Sequence, residues 1–121
     1  MTWDVDPRIF AGLVEEDTDR LYRGLAITIY NNCVQLSPVD TGRYKGNHIM
    51  SIGQPNTAYT MGAEGMGLDT SVLNSVPHGR FPTVYIQNNL PYALAIENGH
   101  SGQAPTGVYG LAFNSAIASY S

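Results

Sequence analysis

Ser37-Pro38-Val39-Asp40-Thr41-Gly42-Arg43 separates two kinds of sequence. Apolar residues upstream of it recur at helical spacing, whereas downstream the pattern turns strand-like. Pro38 has no amide proton and pushes the residue before it towards extended geometry, so an incoming helix is expected to stop near Leu36 or Ser37. Asp40 and Thr41 can fold their side-chain oxygens onto nearby amides, and Gly42 can take a positive φ without steric cost. The stretch reads as a rigid helix-to-strand joint.

Working back from the joint, Leu21, Leu25, Ile29 and Cys33, with Tyr22, Ala26, Tyr30 and Val34 beside them, form a broad apolar face. Arg20, Arg23, Asn31 and Gln35 are expected largely opposite, with Glu16→Arg20 and Asp19→Arg23 as i,i+4 pairs. Ile9, Phe10, Leu13 and Val14 continue the helical spacing upstream. Asp6 and Pro7 suit an N-cap and first helical position. Glu15-Glu16-Asp17 marks a kink or a fresh start, so one long helix or two in series are expected. Residues 1–7 read as an extended arm.

Forward of the joint, Tyr44 to Ile52 is expected to be a strand. Residues 54–79 read as a long, mobile connection, with one short helix over Leu68 to Val76 capped by Asp69 or Thr70. Within it Tyr59, Met61, Met66 and Leu68 are candidate interface residues, because Met and Tyr among glycines suit a surface that orders against a neighbour. Phe81 to Asn89 is the clearest strand, Val84 and Ile86 facing one way and Thr83, Tyr85 and Gln87 the other. Pro91 opens a short helical turn, Tyr92 to Glu97, that Asn98-Gly99 stops. Ala104-Pro105-Thr106 starts a last helix. The chain is expected to be a single α+β domain over 1–121, its long N-terminal helix and C-terminal helix packed on a small, mainly antiparallel sheet.

Only 13% of the residues are charged, against roughly a quarter in ordinary soluble domains. A surface so poor in charge suits a subunit covered by other protein. The net charge of −4, with a single lysine (Lys45), argues against a surface that grips nucleic acid. Cys33 has no partner for an internal disulfide and reads as a buried thiol. No secretory signal is expected at the N-terminus and no apolar run has the length of a membrane span, so no membrane partner is expected.

No catalytic, cofactor or metal site is expected. His48, His78 and His100 are scattered without ligand spacing, and Gly62, Gly65 and Gly67 lack the residues of a phosphate loop. Asp40-Thr41-Gly42 matches the active-site triplet of aspartic proteases, in which two such aspartates in a homodimer share a proton and activate water. The context disagrees: Arg43 follows where a small residue is expected, and a long helix does not suit an all-β protease.

Ser37-Pro38-Val39-Asp40-Thr41-Gly42-Arg43, then Asn88-Asn89-Leu90-Pro91-Tyr92-Ala93 with Ile96-Glu97-Asn98-Gly99 and Ala104-Pro105-Thr106-Gly107, resemble in order and spacing the small phage neck and tail-completion proteins of the minor tail protein Z-like (HK97 gp10-like) group. Together these motifs span about half of the chain. The resemblance implies a structural virion protein at the head–tail joint, assembled in the host cytoplasm, that completes the tail or joins it to the capsid connector. It implies a ring, sixfold by expectation, contacting other neck, connector and tail proteins, with DNA passing through the lumen without tight binding. A tail terminator or head-closure protein is the alternative from the same setting. The motif residues Pro38, Asp40, Thr41, Gly42, Arg43, Pro91, Tyr92, Glu97, Gly99 and Pro105 are expected to serve shape rather than chemistry, with an Arg43–Glu97 pair across the sheet. The group often carries a basic segment after its first motif; here only Lys45 is basic.

Overall fold

Helix α1 spans Glu15–Leu36, and its inner stripe is Tyr22, Leu25, Ala26, Ile29, Tyr30 and Cys33, each no more than 2% exposed. The computed structural model describes residues 2–5, 15–38, 42–62, 65–77, 79–99 and 107–119. The stripe keeps the three- and four-residue spacing of one helix face, with Leu21 and Val34 at its margins. The helix ends at the expected place. The Ser37 hydroxyl donates to the Cys33 carbonyl at 2.5 Å and the Ser37 amide to that of Val34 at 3.3 Å, so the last turn is satisfied before buried Pro38 diverts the chain. The start expected at Asp6 and Pro7 lies outside the described residues.

The sheet has three strands, β1 (Thr2–Val5), β2 (His48–Ile52) and β3 (Val84–Asn88), in the order β1-β3-β2 and antiparallel throughout. Within the expected extended arm, residues 2–5 are therefore a sheet strand, Trp3 opposite Ile86. The four-residue segment finds donors and acceptors on the open side of β3, a pairing that local sequence does not encode. Strand β2 is also shorter than expected. Lys45–Asn47 form a 3-10 turn, with the Gly46 amide on the Gly42 carbonyl at 2.9 Å and the Asn47 amide on that of Tyr44 at 3.1 Å. Gly42, at φ 75, makes that tight entry, as the joint reading required.

Two short helical pieces and a final helix complete the fold: a 3-10 turn over Ser71–Ser75, α2 (Ala93–Glu97) and α3 (Tyr109–Ser119). The Asp69 carboxylate accepts the Ser71 amide at 2.8 Å, so it sets the start of the 3-10 turn. Gly99, at φ 86, ends α2, its amide bonding to the Ile96 carbonyl at 3.0 Å. Val108, Tyr109, Ala112 and Ala116 of the α3 segment join the α1 stripe over Met50, Val84 and Ile86, giving one core between the helices and the inward residues of the sheet. The α+β architecture stands as expected.

One expected surface residue sits elsewhere. Arg23 pairs with Asp19 at 3.1 Å, but its guanidinium also donates to the Leu73 carbonyl at 2.6 Å and to that of Val76. It therefore ties the 73–76 backbone to α1, a role beyond the expected pair with Asp19.

Candidate interaction surface

Asn47 is fully buried, and its side-chain amide donates to the Arg43 carbonyl at 2.7 Å and the Thr60 carbonyl at 3.1 Å while its oxygen accepts the Thr60 amide at 3.0 Å. From β3 the Gln87 oxygen accepts the Asn56 amide at 2.7 Å, and the Asn89 amide donates to the carbonyls of Asn56 and Ala58 at 2.7 and 2.9 Å. Further on, the Met66 amide reaches the Gly46 carbonyl at 2.9 Å, and the Asp69 amide the Tyr30 hydroxyl at 3.1 Å. A segment without regular structure is thereby fastened at 56, 58, 60, 66 and 69. Gly65 belongs to the same device: a Cβ there would lie 2.4 Å from the Gly46 carbonyl carbon, so only glycine lets the two backbones cross.

Fastening the backbone leaves apolar side chains outside. Tyr59, Met61, Met66 and Leu68 are 45, 49, 49 and 52% exposed. All four candidate interface residues thus lie on one anchored segment. Ile27 and Leu36 on α1, Leu94 on α2 and Leu111 on α3 are also exposed, and apolar residues scattered over several elements are ordinary for a protein surface.

The second signature, Ile96-Glu97-Asn98-Gly99 with Gly107, proves to be one structural unit. One Glu97 carboxylate oxygen accepts the amides of Val108 and Tyr109 at 2.9 and 2.7 Å, and the other accepts Gly110 at 2.9 Å. The carboxylate thus caps the free N–H groups and faces the positive end of the α3 dipole. The expected Arg43–Glu97 pair is replaced by this cap, while Asn47 and Gly46 hold the region around Arg43. Gly107 is obligatory here: at φ 85, a Cβ would fall 2.4 Å from the Glu97 carbonyl oxygen. Tyr92 and Ile96 pack on the core, and Pro91 is exposed. Asp40, Thr41 and Pro105 lie outside the described residues, as do His78 and His100.

The fold also assembles a group that sequence reading missed. Buried His48 lies 2.6 Å from the Ser37 hydroxyl through Nε2 and 2.8 Å from the Tyr109 hydroxyl through Nδ1. Because Ser37 gives its only hydroxyl proton to Cys33, it accepts from Nε2–H, which leaves Nδ1 to accept from Tyr109. A Ser–His contact suggests nucleophilic chemistry, but here the proton runs from imidazole to serine, the wrong direction for a general base. Both groups are closed from solvent, at 6% and 1% exposure. Burial pushes the imidazole pKa down to about 3 and the Tyr109 phenol up, so the set is neutral and acts as a hydrogen-bonded lock between α1, β2 and α3. Burial likewise pushes the Cys33 thiol up to about 12, leaving it protonated and unreactive.

Among the described residues, no helix is long and apolar enough to cross a membrane and no three His, Cys, Asp or Glu side chains gather as metal ligands. Comparison with models of protein families, with curated proteins and with solved structures finds no match for this chain.

Proposed function

We propose that the chain is a structural subunit of a tailed-phage virion, set as a ring at the head–tail joint, where it completes the tail or links it to the capsid connector. The observation that carries this reading is the anchored loop that presents Tyr59, Met61, Met66 and Leu68. Apolar side chains held out on a fastened backbone lose little conformational entropy when a neighbour covers them, so they suit a subunit interface. The motif series that resembles phage neck proteins supplies the setting, and the shape roles found for Gly42, Glu97, Gly99 and Gly107 fit a protein whose motifs build a scaffold. On this reading the partners are other copies and adjoining neck, connector and tail proteins. DNA passes through the acidic ring without tight binding, and the chain carries no catalysis and no cofactor.

The test is the mass of the native particle across a concentration series, alone and with tail or connector proteins. A discrete ring is expected in at least one of these conditions. Changing Tyr59, Met61, Met66 and Leu68 together to serine should disperse it while leaving the thermal midpoint of the monomer in place, since all four are exposed. A tight dimer at every concentration, or a monomer in all of them, would sink the proposal.

A further inference from the structure

A broad cleft of about 480 Å³ lies beside the start of β3, between the rings of Pro77, Phe81 and Pro82 and the side chain of Arg80. Its walls are fastened to α1. Phe81 meets the Tyr22 ring edge-on with centroids 5.5 Å apart, and the Tyr22 hydroxyl donates to the Pro82 carbonyl. The Arg80 amide closes the turn on the Pro77 carbonyl at 3.2 Å. The Arg80 side chain is exposed and has no hydrogen-bond or ion-pair partner among the described residues. A planar guanidinium beside an aromatic ring is suited to take a partner's carboxylate through two N–H donors.

Among the described residues the complement is Met66 to Asp69. Met66 and Leu68 are exposed apolar side chains, and Asp69 follows them, exposed and without an ion pair. The Ser71 hydroxyl and amide hold its carboxyl below the usual range, so it is ionised. Gly67, at φ 89, makes the outward bend, with nothing within 4 Å of the place a Cβ would take. Within one chain the two groups are held apart. The Asp69 amide is fixed at the Tyr30 hydroxyl, and the Gly79 amide, next to Arg80, lies at the Asp19 carboxylate. Asp19 and Tyr30 stand eleven positions apart on α1, about 16 Å. Two complementary patches at separate places suit a heterologous, head-to-tail contact, the kind that repeats around a ring.

We propose that Met66 and Leu68 of one copy seat in the cleft of Pro77, Phe81 and Pro82 on the next copy, with the Asp69 carboxylate on the Arg80 guanidinium. The contact rests on the ring reading and names both of its sides. The apolar seat supplies most of the free energy, and the ion pair fixes the register.

The test is a charge exchange, read by sedimentation in the condition where the parent chain forms its ring. Arg80→Asp and Asp69→Arg should each raise the concentration at half-assembly by about tenfold or more. Arg80→Asp should leave the thermal midpoint of the monomer in place, because the side chain it replaces is exposed and unpaired. The double exchange should return assembly to within about threefold of the parent. Asp69→Arg separates the pair from general repulsion. It brings the net charge of −4 nearer to zero, which by itself would strengthen association between copies. A ring that forms at the parent's concentration with Arg80→Asp, or a double variant no better than the single ones, would overturn this contact and leave the ring reading standing. A parent chain that forms no ring in any condition would overturn both.

Discussion

At His48 the fold decides the charge of a group that titrates near neutral pH in the unfolded chain. Its imidazole is neutral in the folded protein, because burial lowers its pKa from 6.5 to about 3. In the unfolded chain the same group takes up a proton once the pH drops below about 6.5. The stability that depends on keeping His48 neutral is therefore complete above that pH. It is lost as the pH falls towards 3, at up to about 1.4 kcal/mol per pH unit. Urea unfolding of the native chain between about pH 7 and pH 4 should show this slope, and His48→Gln should flatten it at the cost of a lower plateau. Equal slopes in the two proteins would mean that the imidazole is not the proton-linked group. Nothing around His48 in the sequence announces this role. The strand alternation does place its side chain on the same face as Met50, but its partners come from Ser37, eleven positions before it, and Tyr109, sixty-one after.

At the scale of elements, α3 depends on a carboxylate from a different helix. Glu97 occupies the place that a local Ser, Thr or Asp cap would take, and its oxygens reach three successive amides. Glu97→Ala should cost about 1–2 kcal/mol, the range for a lost cap with its charge–dipole term. Gly107→Ala should cost about 1–3 kcal/mol, from a positive φ and a collision with the Glu97 carbonyl. Thermal denaturation of the two variants measures both; a Glu97→Ala protein as stable as the parent would remove the cap from the account. Local rules served well where the cause was local. Pro38 stopped α1, Gly42 and Gly99 took left-handed φ, and the period of α1 located its core stripe. They failed where the partner lay far along the chain. Glu97 read as a partner of Arg43, and although Arg23 pairs with Asp19 and Asn88-Asn89 end β3 as expected, nothing local announced their bonds to distant backbone. In the fold, Asn88 donates to the Tyr44 carbonyl and Asn89 fastens the loop over residues 56–58.

For the whole molecule, the arrangement of charge decides what kind of association to expect. Four exposed apolar side chains, Tyr59, Met61, Met66 and Leu68, lie on the 59–68 segment, and only 13% of the chain is charged. Of the anchored segment, the glycine-rich composition and the Met and Tyr side chains were legible in the sequence. The side-chain amides that fix it were not, because a buried asparagine bonding to a distant backbone leaves no periodic trace. Contacts built from such a surface gain their free energy from removing apolar area from water, about 25 cal/mol per Å², and little from ion pairs. Raising the salt to about 1 M shortens the Debye length to about 3 Å, which weakens charge-driven complexes and leaves apolar ones intact. Sedimentation at low salt and at about 1 M should therefore show the same assembly, or a larger one, because the net charge of −4 no longer repels between copies. Binding to duplex DNA should be weak at low salt and absent at the higher salt, since few cations are present to release counterions. An assembly that falls apart as salt rises would place its energy in charged pairs and move the interface away from Tyr59, Met61, Met66 and Leu68.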